Sequence, residues 1–181
     1  MPDLHPKEVE ALGTAGRILI VGYGNTLRRD DGFGWRAAAL LAEDPRLRGA
    51  HVHWQQQLTP ELAVDVSNAS LVVLVDVTDG EEAGTISVRR LDPTGGAGSA
   101  WTHHLEPEAL IALARDLWNA APPSFVVSVG AASLEIGDRL SSAVEQALPA
   151  VVDAVVAIVA EHDHRRESEA GNRRSGHRAP G

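Results

Sequence analysis

The stretch LVVLV at residues 71–75, inside SLVVLVDVTDG (70–80), is the strongest constraint on how this chain folds. It is of strand length, rich in β-branched valine, and has no polar face to offer to water. A strand buried on both sides needs cover on both sides, which a mostly parallel sheet between helices provides. The neighbouring segments agree. RILIVGY (17–23), HVHWQQQ (51–57) and PSFVVSVG (123–130) read as further strands. GTISVRRL (84–91) alternates apolar with polar residues, which suits an edge strand; its short connection to the central strand favours a hairpin-like return.

Helical patterns fall between these strands. GFGWRAAALLAED (32–44) directs Trp35, Ala38, Leu41 and Ala42 toward one face. TPELAVDVSN (59–68) has Thr59 as N-cap and Pro60 at its first position, and EPEALIALARDLWNA (106–120) carries Pro107 in its first turn. SSAVEQALPAVVDAVVAIVAE (141–161) is a closing helix that Pro149 is expected to kink. The expectation is an α/β three-layer sandwich, with a twisted, mostly parallel sheet of about five strands between helices.

At 181 residues the chain suits one domain. Residues 17–160 form its body, residues 1–16 read as a flexible amino terminus, and residues 161–181, polar with Gly and Pro, read as a disordered tail. The net charge is −9; the tail holds five arginines against four acids, so residues 1–160 carry −10. Nucleic acid is a poor partner for such a body. With no cysteine, disulfides, thiolate zinc sites and a cysteine nucleophile are excluded, and a metal must rest on histidine, carboxylate or backbone oxygen. The amino terminus has no signal-peptide pattern, and no apolar run approaches the roughly 20 residues that span a bilayer. A cytoplasmic protein with no membrane partner is expected.

GYGNTLRRDDGFG (22–34) lies between the first strand and the first helix, where a phosphate cradle is common. Gly22 and Gly24 match two glycines of the dinucleotide fingerprint, but Leu27 replaces the third. The second strand ends in Gln55–Gln57, with no carboxylate for a ribose, and no Gly-Lys-Ser/Thr follows to make a Walker loop. What the turn does carry is Asp30 and Asp31, as helix-capping groups or as ligands. In parallel sheets, ligands bind beyond the carboxyl ends of the strands. Asp31 falls after the first strand, Asp76 at the end of the third, and His103 in the loop before the third helix. Carboxylates with an imidazole suit nickel, zinc or cobalt and leave open positions for water or substrate. His51 and His53 share a face of the second strand but sit near its start, so they read as structural or solvated.

The ordered pieces GYGNTLRRDDGFG, QQLTPEL, LVVLVDV, THHLEPEALIALA and LSSAVEQALPAVVDAV resemble the hydrogenase maturation proteases over roughly residues 17–160. These endopeptidases trim the carboxyl terminus of a [NiFe]-hydrogenase large-subunit precursor. The resemblance implies Asp31, Asp76 and His103 as metal ligands, with His104 as the alternative to His103. The nickel it implies is supplied by the precursor substrate, other divalent ions being able to occupy the site in vitro. It further implies Asp30 as a base or positioner, Asn25 as a hydrogen-bond donor, and Gly24 and Gly32 in the substrate-binding turn. A monomer suits an enzyme that admits a large protein partner. Two other readings use the same residues: a hydrolase of another substrate with its own bound ion, and a non-catalytic chaperone that senses nickel insertion.

Overall fold

The structure, a computed structural model, describes residues 17–92 and 105–175. Five strands, β1 (Arg17–Tyr23), β2 (His51–Gln55), β3 (Ala69–Thr78), β4 (Ile86–Arg90) and β5 (Ser124–Gly130), form one sheet in the order β2-β1-β3-β5-β4. All pairings are parallel except β4 with β5. The α-helices are α1 (Phe33–Glu43), α2 (Leu62–Asn68), α3 (Pro107–Trp118) and α4 (Ser142–Ser175).

Strand alternation splits the core into two layers. Ile20, Val73, Val75, Val127 and Val129 face α1 and α4, meeting Phe33, Leu41, Val144, Val151 and Val155. Leu19, Val21, Val72, Leu74 and Val126 face the other way, onto Leu62 and Val66 of α2 and Leu110 and Ile111 of α3. LVVLV is buried on both sides because its odd and even residues enter different layers. The three-layer α/β sandwich is therefore present.

Several local expectations are corrected. β4 is an antiparallel edge strand, as its alternation suggested, but it returns beside β5, which is inserted between it and β3. α1 buries Phe33, Gly34, Ala37, Ala38 and Leu41, while Ala42 is exposed and Trp35 instead meets the Trp54 ring edge-on at 5.9 Å. α2 begins only at Leu62, after a tight turn in which the Thr59 and Pro60 carbonyls accept from Leu62 and Ala63; Thr59 lies outside the helix.

The largest difference is α4. Its helix runs through residue 175, across most of the segment expected to be disordered, with Pro149 inside it. Exposed ion pairing one turn apart, as between Glu161 and Arg165, gives the polar half helical support that apolar periodicity does not register. By length and composition α4 could cross a membrane. Its apolar residues Val144, Leu148, Val151, Val155 and Val159 are instead packed in the core. Residues 1–16 and 176–181, parts of the expected flexible ends, lie outside the described residues.

α1 meets the sheet through backbone contact. A Cβ on Gly22 would lie 1.9 Å from the Gly34 carbonyl oxygen, and one on Gly34 would lie 2.2 Å from that of Tyr23 and 2.6 Å from that of Val75. Backbone cannot yield as a side chain can. Gly34→Ala is expected to cost about 3 kcal/mol or more by overpacking. Gly171→Ala, with open space around it in α4, should be neutral or slightly stabilising through helix propensity. Chemical denaturation of both variants checks the contrast.

Candidate active site

The parallel register assembles the strand-end groups. Gly22 pairs with Val75, so Tyr23 and Asp76 follow on adjacent strands and face the same layer, toward α2 and α3. The Tyr23 hydroxyl and the Val77 amide, both donor groups, neighbour the Asp76 carboxylate and favour its charged form. Burial raises the Asp76 pKa to about 7; the two donors oppose this, and the charges of Asp31 and Glu106 reinforce it. Burial likewise raises Tyr23, helped by the neighbouring Asp76 charge. The site is thus an acidic recess in which, among the described residues, no cation offsets the Asp76 carboxyl.

Asp31 reaches this recess from a short 3-10 helix, Arg29–Gly32, that directly precedes α1. The turn before it is closed by its own atoms. The Asn25 side-chain carbonyl accepts from the Leu27 amide at 2.9 Å, and the Asn25 main-chain carbonyl accepts from Arg28. That Asx-turn commits the Asn25 oxygen and leaves its NH2 group to donate elsewhere. Gly24 has φ +133°, and a Cβ there would lie 1.9 Å from the Asp31 carbonyl oxygen. Gly32 is buried, and its missing Cβ faces the Thr26 Cα at 3.2 Å. These glycines let the turn fold against itself.

Asp30 points away from solvent and is fully buried. Its Oδ2 accepts from the Ala132 and Ser133 amides, each at 2.9 Å, and from the Ser141 hydroxyl at 3.0 Å; its Oδ1 accepts from the Ser141 amide at 2.6 Å. Burial alone would raise its pKa, but these donors prevail and hold the carboxyl below its ordinary range. Sequence offered Asp30 as a base or a helix cap, yet both oxygens are spent on the 131–141 loop. Main-chain bonds continue the join: Arg29 donates to Gly137, Gly137 to Leu27, and Asp30 to Ser133.

Of the residues read from sequence, the structure brings Asp31 and Asp76 together and places Asn25 in the turn leading to Asp31. His103 and His104 lie outside the described residues, and among those described no cluster of three metal-ligating side chains occurs. Tyr23 and Glu106 were missed. Tyr23 lies inside the glycine-rich motif, where it reads as the last residue of a strand, and only the register with β3 reveals its partner. His51 and His53 are neighbours on the edge strand, their ring centroids 5.2 Å apart and their planes tilted by 40°, and burial lowers the His53 pKa.

No protein-family model matches the chain. No curated protein matches it significantly. Solved structures do. The hydrogenase 2 maturation peptidase of a Thaumarchaeota archaeon is 26% identical, with a TM-score of 0.63 over 80% of this chain and 98% of that one. The hydrogenase maturating endopeptidase HybD of E. coli is 23% identical, with a TM-score of 0.66 over 80% of this chain and 93% of that one. The [NiFe] hydrogenase maturation protease HycI of Thermococcus kodakarensis is 21% identical, with a TM-score of 0.64 over 83% and 97%. With nearly the whole of each of these proteins matched, the chain shares the fold of these hydrogenase maturation endopeptidases.

Proposed function

We propose that this protein removes the carboxyl-terminal extension of a nickel-loaded [NiFe]-hydrogenase large-subunit precursor in the cytoplasm, using the precursor's nickel as its recognition element. The observation that carries this reading is the Asp31–Asp76 pair at the carboxyl ends of the sheet, with Asp76 desolvated and, among the described residues, facing the negative charges of Asp31 and Glu106. Oxygen donors of this kind fit a divalent ion presented by a partner, which would supply the missing charge. His103 completes the set. Leu105, two residues on, packs into the same layer as Tyr23.

In this scheme Asp31 and Asp76 bind the substrate's ion, and Tyr23 holds the Asp76 carboxylate in orientation. A divalent ion so held polarises a neighbouring carbonyl and activates water. Asn25 supplies its NH2 group to the scissile peptide or the developing oxyanion. Asp30 fixes the turn that carries Asp31, and takes no proton. Discrimination between loaded and empty precursors follows from differential affinity, because an empty precursor leaves the acidic recess uncompensated.

Asp31→Ala and His103→Ala should each lower trimming of nickel-loaded precursor by more than about 100-fold, beyond the range typical of losing a ligand's supporting partner. The mass of the large subunit after incubation reads this directly. Trimming at the wild-type rate by either variant would refute the assignment.

A further inference from the structure

Beside the recess lies an open cleft of about 410 Å³, on the side of the turn that carries Thr26 and Gly32. Arg29, Arg36 and Arg139 line it, from the 3-10 helix, α1 and the 131–141 loop respectively. None of the three makes an ion pair with a described residue. Their concentration is unusual in a body whose charge is −10. Arg29 is also specifically accommodated. It adopts φ +44°, a region unfavourable to side-chain-bearing residues, and a Cβ on Gly137 would come within 2.9 Å of its Cγ. The chain accepts a strained residue and a bare glycine to lay this side chain along the cleft wall.

The remaining lining specifies the ligand. Asp138 and Glu145 share the cleft, so three positive groups face two negative ones. The excess of one suits a single monoanion, and a phosphate dianion would meet both acids. Guanidinium groups form paired, planar hydrogen bonds with carboxylates. Trp35 and Leu140 supply apolar wall beside them. Trp35 is fixed between the Trp54 ring and the Arg36 guanidinium, which lies 5.9 Å from the Trp35 ring centroid. A carboxylate flanked by an aliphatic side chain is what a peptide presents.

We infer that this cleft binds a carboxylate of the substrate's peptide chain, either an acidic side chain or the chain terminus, next to the Asp31 turn. The inference rests on the endopeptidase reading above and adds a subsite to it. Gly32 belongs to the cleft and is bonded to Asp31, so a peptide anchored here lies alongside the metal-binding carboxylate.

Fluorescence anisotropy with three acetylated, labelled alanine–valine hexapeptides tests it: one with a free carboxylate, one amidated, and one amidated with two glutamates. The free-carboxylate or the glutamate peptide should bind at least about tenfold more tightly than the neutral one, and whichever does identifies the source of the carboxylate. Arg29→Gln combined with Arg139→Gln should remove that preference, with the thermal midpoint confirming a folded protein. Arg29→Lys, which keeps charge and loses the planar fork, should weaken it partially. Equal binding of all three peptides, no binding of any, a preference that survives the double variant, or displacement by equimolar inorganic phosphate would each overturn the cleft's assignment. Precursor trimming by the wild type is measured in parallel. Absent trimming with arginine-dependent peptide binding supports the cleft while removing the protease reading; normal trimming with arginine-independent binding does the reverse.

Discussion

Asp30→Ala should destabilise the protein by about 3–5 kcal/mol, because it strips the buried acceptor from three part-buried amides and a hydroxyl at once. That is a large part of the roughly 5–15 kcal/mol that holds a typical domain together. Asp30→Asn keeps the shape, but its NH2 group must face a donor, since both native oxygens accept; a loss of at least about 2 kcal/mol is expected. The pH dependence follows from the depressed carboxyl pKa of the folded state. Above the unfolded value, near 4, both states are ionised and the native contribution is complete. As pH falls through the folded value the native carboxylate protonates and the contribution disappears. Urea titrations of wild type and Asp30→Ala at pH 7 and pH 3 should therefore show a gap that narrows in acid. A midpoint unchanged at pH 7 would mean that the turn and the 131–141 loop are held together by other contacts.

Asp76→Asn should act in the opposite direction on stability. Burial raises Asp76 to about 7, so from pH 4 to pH 7 the folded state retains a proton that the unfolded state has released. Wild-type stability contributed by this residue falls as pH rises across that window, then stays low. Three pH units correspond to about 4 kcal/mol as an upper bound, and partial solvent contact reduces this to on the order of 2–3 kcal/mol. An amide still accepts from Tyr23 and Val77 without ionising. The variant should melt several degrees above wild type at pH 8 and close to it at pH 4, while precursor trimming is abolished. A variant less stable than wild type at pH 8 would show that the Asp76 carboxylate contributes net stability without a bound ion.

How much of this was legible in the sequence depended on distance along the chain. β1, β3, β5, α1 and α3 were readable because each is specified locally, by an apolar run or by a helical period. That Asp31 and Asp76 come near one another was readable because a parallel sheet brings the carboxyl ends of its strands to one side. The role of Asp30 was not. Its partners are 102 to 111 residues away, in a polar loop whose own sequence is ordinary turn material. The partner of β4 was also out of reach, since alternation identifies an edge strand and says nothing about which neighbour it joins. The polar half of α4 was misjudged for a different reason. Low hydrophobicity reads as disorder, whereas i,i+4 charge pairs such as Glu161–Arg165 extend a helix already anchored by Val151, Val155 and Val159.

The insertion of β5 between β3 and β4 governs when the sheet can be completed. β3 is the longest strand and the most apolar, yet one of its edges has no partner until residues 124–130 are in place. A nascent or refolding chain that has collapsed only as far as β4 therefore leaves open the edge that β5 later covers from Val72 to Thr78, the kind of template on which strands from other molecules add. Two-thirds of the chain must be available before that edge is sealed, and the long-range pairing that seals it is intrinsically slow. The period of greatest aggregation risk in this protein's life is thus the interval between synthesis of its third strand and arrival of its fifth.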